Sequence, residues 1–114
     1  MLGNLLNLLK KKCSDELLLI ALEEKGVNLS KPLIIDFWFH SDNAQSARAI
    51  AEELSGKGFS AKILLSDDGE LFTCKANKEL IPELNTIRSL TKELKLLAQQ
   101  HAGVYDGWST DPAD

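Results

Sequence analysis

Cysteine is scarce in this chain of 114 residues, and the two present, Cys13 and Cys74, stand far apart. Neither has a second cysteine nearby, so no CxxC redox or zinc pattern forms, and both are expected to be reduced thiols of a cytosolic protein. Proline occurs only three times and aromatic residues make up 6% of the chain; the prolines form no linker and no low-complexity tract appears. Positive charge is in the minority as well, with 13 Lys and Arg against 17 Asp and Glu and a net charge of -4. Contact with phosphates requires clustered basic side chains, so this balance argues against direct nucleic-acid binding. The one basic run is Lys10-Lys11-Lys12. No apolar run approaches the ~18 residues of a membrane span. The segment Met1 to Cys13 does not read as a secretory signal, because its lysines follow the apolar stretch and Asn4 and Asn7 break it. A single acidic domain in the cytoplasm is expected.

Catalytic patterns are missing too. There is no HExxH, no pair of carboxylates at helical spacing with a histidine, and no Ser or Cys with an identifiable base. Asp36, His40 and His101 invite comparison with a metal or acid-base cluster. Asp36 and His40 lie four apart on one strand, however, roughly 13 Å by strand rise and too far to share an ion. No enzyme, metal or cofactor is expected.

What the chain does carry is clear periodicity. Leu2, Leu5, Leu6 and Leu9 recur at the spacing of an amphipathic helix. Ser14 and Asp15 are cap candidates for a second helical stretch through Leu17, Leu18, Ala21 and Leu22, stopped at Gly26. Leu33 to His40 is the clearest strand. Its alternation places Leu33, Ile35, Phe37 and Phe39 on a core face, and Ile34, Asp36, Trp38 and His40 on a mixed face. Ser41, Asp42 and Asn43 can cap a helix that turns Ala47, Ile50, Ala51 and Leu54 inward. Phe59 to Ser66 and Glu70 to Lys75 read as two strands joined at Asp67-Asp68-Gly69, a hairpin signal. Pro82 suits the first turn of a long helix, whose buried stripe runs through Ile81, Leu84, Ile87, Leu94 and Leu97 to Gly103.

The order β-α-β-β-α points to an α+β domain, a ferredoxin-like sandwich of two helices on an antiparallel sheet. Residues 1–30 form an N-terminal helical segment, 31–103 the core, and 104–114 an aromatic tail. The fourth strand is expected to be short or missing, with Val104 and Tyr105 its only candidates. The N-terminal helices are expected to fold back over the mixed face and cover Trp38.

Tyr105-Asp106-Gly107-Trp108 is the most distinctive motif. It holds the sole tyrosine and one of two tryptophans. Asp-Gly between the rings favours a tight turn that brings both onto one surface. That surface is the protein's own core, a partner, or a ligand; docking onto the core is the reading that a motif beside a helix terminus favours. As interface residues, Tyr and Trp would serve as binding anchors.

Leu22-Glu23-Glu24-Lys25-Gly26, Lys31-Pro32, the strand Asp36-Phe37-Trp38-Phe39, Gly58-Phe59 and Tyr105-Asp106-Gly107-Trp108 together resemble the regulator of ribonuclease E activity B family, over about Leu17 to Trp108. The resemblance implies a ferredoxin-like fold and a cytoplasmic bacterial protein without catalytic activity. It also implies that the chain binds endoribonuclease E, or a related part of the RNA-degradation machinery, and so inhibits or modulates cleavage of RNA. Two further surfaces come from the residues themselves. Asp67, Asp68 and Glu70 are usually just a solvated turn, and as function would steer a basic partner. Asp36, Trp38 and His40 mark a possible open sheet face, which in the alternative reading binds a small molecule. Base stacking on Trp38 is disfavoured, because Leu71-Phe72-Thr73-Cys74-Lys75 lacks the aromatic spacing that RNA-recognition sheets use.

Overall fold

The computed structural model describes residues 14–111, so the expected Leu2–Leu9 helix, Cys13 and the last three residues lie outside the described residues. Seven elements follow in order: α1 (Ser14–Glu24), β1 (Leu33–Ser41), α2 (Ala44–Gly56), β2 (Ser60–Leu65), β3 (Phe72–Leu80), α3 (Leu84–Gln100) and β4 (Val104–Thr110). The strands form one antiparallel sheet in the order β2-β3-β1-β4. The alternation of β1 decides how that sheet is used. Ile35, Phe37 and Phe39 are fully buried under the helices, while Ile34, next to Ile35 on the opposite face, is 59% exposed.

Each helix follows its apolar stripe. In α2 the Asn43 side chain caps the first turn by accepting from the Ser46 amide at 2.7 Å. Ala47, Ile50 and Leu54 then face the sheet. In α3, Ile87, Leu94, Leu97 and Ala98 do the same. Ile81 falls outside the expected stripe: the helix begins only at Leu84, and Ile81 is exposed before it. Pro82 likewise precedes the helix rather than occupying its first turn. Two residues past the end of α3, Ala102 takes the positive φ of 58° expected of a glycine. Gly103 is needed for space instead. A Cβ there would sit 2.7 Å from Ile50 Cδ1 and 3.1 Å from the His40 carbonyl oxygen.

Three expectations require correction. The third strand runs on to Leu80, pairing along all nine residues of β1. Small Cys74 and Ala76 supply its buried positions, and such residues carry little of the apolar signal that marks a strand. The fourth strand is present and seven residues long. Asp106-Gly107 makes no tight turn. Gly107 opposes Trp38 and Tyr105 opposes Phe39, which leaves Asp106 as an extra residue, a β-bulge, with Gly107 at φ 116°. Residues three apart on a regular strand point to opposite faces. The bulge cancels that offset, so Tyr105 and Trp108 both face the core despite their spacing.

α1 also departs from expectation. It lies on the same side of the sheet as α2 and α3, burying Leu19 and Leu22 in the common core while Leu17 is exposed. α1 itself does not cover Trp38; the Leu2–Leu9 stripe expected to do so lies outside the described residues. Asp15, read as a cap candidate, is buried and accepts the Trp108 indole N–H at 2.8 Å.

Candidate functional site

The two faces of the sheet separate the candidate residues. Trp108 opposes Phe37 across the β1–β4 pair and belongs to the main core. Tyr105 packs on Phe39 with ring centroids 5.2 Å apart. Burial pushes the Tyr105 phenol well above its ordinary range, the Asp15 charge adds to this, and the Thr91 hydroxyl works the other way. The aromatic half of the motif is therefore turned inward. It closes β4 and α1 over the core.

Asp106 is turned the other way. The bulge that brings Tyr105 and Trp108 inward aims the Asp106 carboxylate at His40, with Oδ2 2.9 Å from Nε2. The other ring nitrogen of His40, Nδ1, lies 3.1 Å from the Thr73 hydroxyl. Sequence reasoning assigned Asp106 and His40 to different features. Only the bulge, which spacing does not reveal, joins them.

Trp38 is half-buried on this face. Its indole N–H donates to Ser109 Oγ at 2.9 Å, diagonally across to β4, two residues beyond its pair partner Gly107. Lys75 stands over its ring, 5.3 Å from the centroid, and reaches toward Asp36 Oδ2 at 4.0 Å. A row thus crosses the sheet from Gly107 through Trp38 and Lys75 to Lys62. The next row runs from Val104 through His40 and Thr73 to Leu64. Exposed Ile34 and Val104, the latter 63% exposed, flank these polar groups. No described helix covers them. The surface is apolar at intervals and carries both signs of charge.

Asp67, Asp68 and Glu70 sit at the end of the sheet nearest His40, in the loop between β2 and β3. Ser66 and Asp68 close that loop: the Ser66 hydroxyl and the Glu70 amide both donate to Asp68 Oδ1, at 2.6 and 3.0 Å. These bonds, that from Ser66 foremost, hold the pKa of the exposed Asp68 carboxyl below its usual value, keeping it charged. His101 stands elsewhere, bonded to Glu53 at 2.8 Å near the end of α3. Among the described residues no group of three His, Cys, Asp or Glu is placed to hold a metal ion. An open cleft of about 930 Å³ lies beyond the other end of the sheet, between Lys25–Leu33 and Thr110–Asp111, and reaches the open face only at Ile34 and Glu79.

Comparison with protein families matches residues 13–110 to the family described as RraB, regulator of ribonuclease activity B. The chain belongs to that family. The match spans all seven elements, including the bulged β4. A search of the curated proteins finds no match. Membership places the chain among regulators of ribonuclease activity. No described helix is long and apolar enough to cross a membrane.

Proposed function

We propose that this chain is a non-catalytic cytoplasmic protein that binds endoribonuclease E, or a related component of the RNA-degradation machinery, through the open face of its sheet, and thereby modulates RNA processing. One observation carries the choice of surface. The motif's aromatics are spent on the core, whereas Trp38, a residue type that anchors interfaces, is half-buried on the opposite face, which no described helix covers. Ile34 and Val104 extend the apolar contact, and Asp36, Lys75, His40 and Asp106 supply polar groups around it. Asp67, Asp68 and Glu70 lie where they would steer a basic partner segment toward that face. The β-α-β-β-α-β order and the strand sequence β2-β3-β1-β4 support the ferredoxin-like reading.

The test is a titration of purified ribonuclease E with the full chain, read by calorimetry and by the rate of RNA cleavage. Saturable binding with a changed cleavage rate is expected, and a weaker complex with Trp38→Ala. No binding under low salt contradicts the proposal. Thermal stabilisation by a metabolite, lost in Trp38→Ala and without any protein partner, would favour the small-molecule alternative instead.

A further inference from the structure

The two edges of the sheet are built differently. β4, at one edge, carries a bulge and the charged Asp106, both of which discourage pairing with another strand. β2, at the other edge, has neither proline nor bulge. Ile63, Leu64 and Leu65 are 38%, 42% and 56% exposed, and Leu71 extends the apolar surface past the strand end. Lys62 is the only charged residue in the strand. Among the described residues nothing pairs with the outer edge of β2, and unpaired backbone groups together with apolar side chains are a template for a further strand.

We propose that β2 pairs antiparallel with β2 of a second copy of this chain about a two-fold axis at Ile63, joining two four-stranded sheets into one. The register follows from the faces. Opposed residues must lie on the same face, since a one-residue slip would turn every side chain over. With the axis at Ile63, each Ile63 meets its copy, Ala61 meets Leu65, and Lys62 lies along Leu64, so no like charges stand directly opposite. The strand ends are complementary as well. Lys57, paired with Glu93 at 3.1 Å, and Lys78, its Nζ 5.0 Å from the Phe59 ring centroid, flank the start of β2, and Asp67, Asp68 and Glu70 follow its end. An antiparallel pair lays the basic start of one strand against the acidic finish of the other. A six-residue edge buries less than a permanent interface does, so the dimer is reversible and depends on concentration. Edge pairing leaves the face around Trp38 free, and the inference stands apart from ribonuclease binding.

Sedimentation of the full chain over a micromolar to millimolar series tests it. The average mass is expected to rise from 12.6 kDa toward twice that value. Ile63→Lys places like charges across the axis and should weaken association about tenfold or more, with ribonuclease binding retained. Because Cys74 lies directly across β3 from residue 63, the background carries both Cys13→Ser and Cys74→Ala; in it, Ile63→Cys should cross-link to its copy under mild oxidation while Ser60→Cys does not. A mass that stays at the monomer value throughout would overturn the proposal. So would a dimer indifferent to Ile63→Lys, or one in which Ser60→Cys cross-links as well as Ile63→Cys.

Discussion

The two tryptophans sit on neighbouring strands and do opposite things. Trp108 packs beneath the helices and gives its N–H to Asp15, a buried carboxylate 93 residues away. Trp38 stands on the other face and gives its N–H to Ser109, an exposed hydroxyl. One indole is tied into the core; the other is held in a fixed orientation and left accessible. The comparison teaches that one sheet has two unlike faces: one holds the fold under the helices, and the other, which no described helix covers, is the face proposed for recognition.

The sharpest way to break the comparison is to remove each ring in turn. Trp108→Ala should cost about 3 kcal/mol or more, as for other large aromatics deleted from a core, measured by denaturant unfolding. Trp38→Ala should cost about 1 kcal/mol or less, in line with substitutions outside the core. Equal losses would erase the distinction. Next in size is the bond that ties α1 to β4. Asp15→Ala leaves the Trp108 N–H buried without a partner and should cost about 1–3 kcal/mol, whereas Asp15→Asn keeps an acceptor and should cost less. Gly107→Ala tests the bulge. At φ 116° a side chain is strained although nothing lies within 4 Å of its Cβ, so a loss of about 1–3 kcal/mol is expected from the backbone alone.

A smaller effect concerns pH. Burial raises the Cys74 thiol to about 11 from its model-compound value of 9.0, so the folded state holds this proton more tightly than the unfolded chain. The contribution is complete below pH 9 and is lost as pH rises from there toward 11, because only the unfolded chain gains from ionising the thiol in that window. Tyr105, raised from 10.0 by the same cause, extends the loss above pH 10. Stability measured at stepped pH should fall across this range, and Cys74→Ala should flatten its lower part.

Much of this was legible in the chain, and the failures share a cause. The alternation of Leu33 to His40 correctly placed both faces of β1, because each position contributes a strong apolar or polar signal. The fourth strand was obscured because Asp106-Gly107 resembles a turn, and a bulge changes the facing of residues without altering composition. The same hidden residue concealed the meeting of His40 with Asp106. Leu19 and Leu22, rather than Leu17, bury in α1 because the helix is so rich in leucine that several faces look apolar. Asp15 looked like a cap because its partner stands at the far end of the sequence, a distance that local patterns do not span.

We propose that recognition belongs to the face that no described helix covers, and stability to the covered one. Calorimetric titration of ribonuclease E with the wild-type chain and with Trp38→Ala, at matched folded fractions, tests it most directly. The account predicts binding about tenfold or more weaker for Trp38→Ala, as for loss of an interface anchor, with the unfolding transition nearly unmoved. Undiminished binding by Trp38→Ala would contradict it.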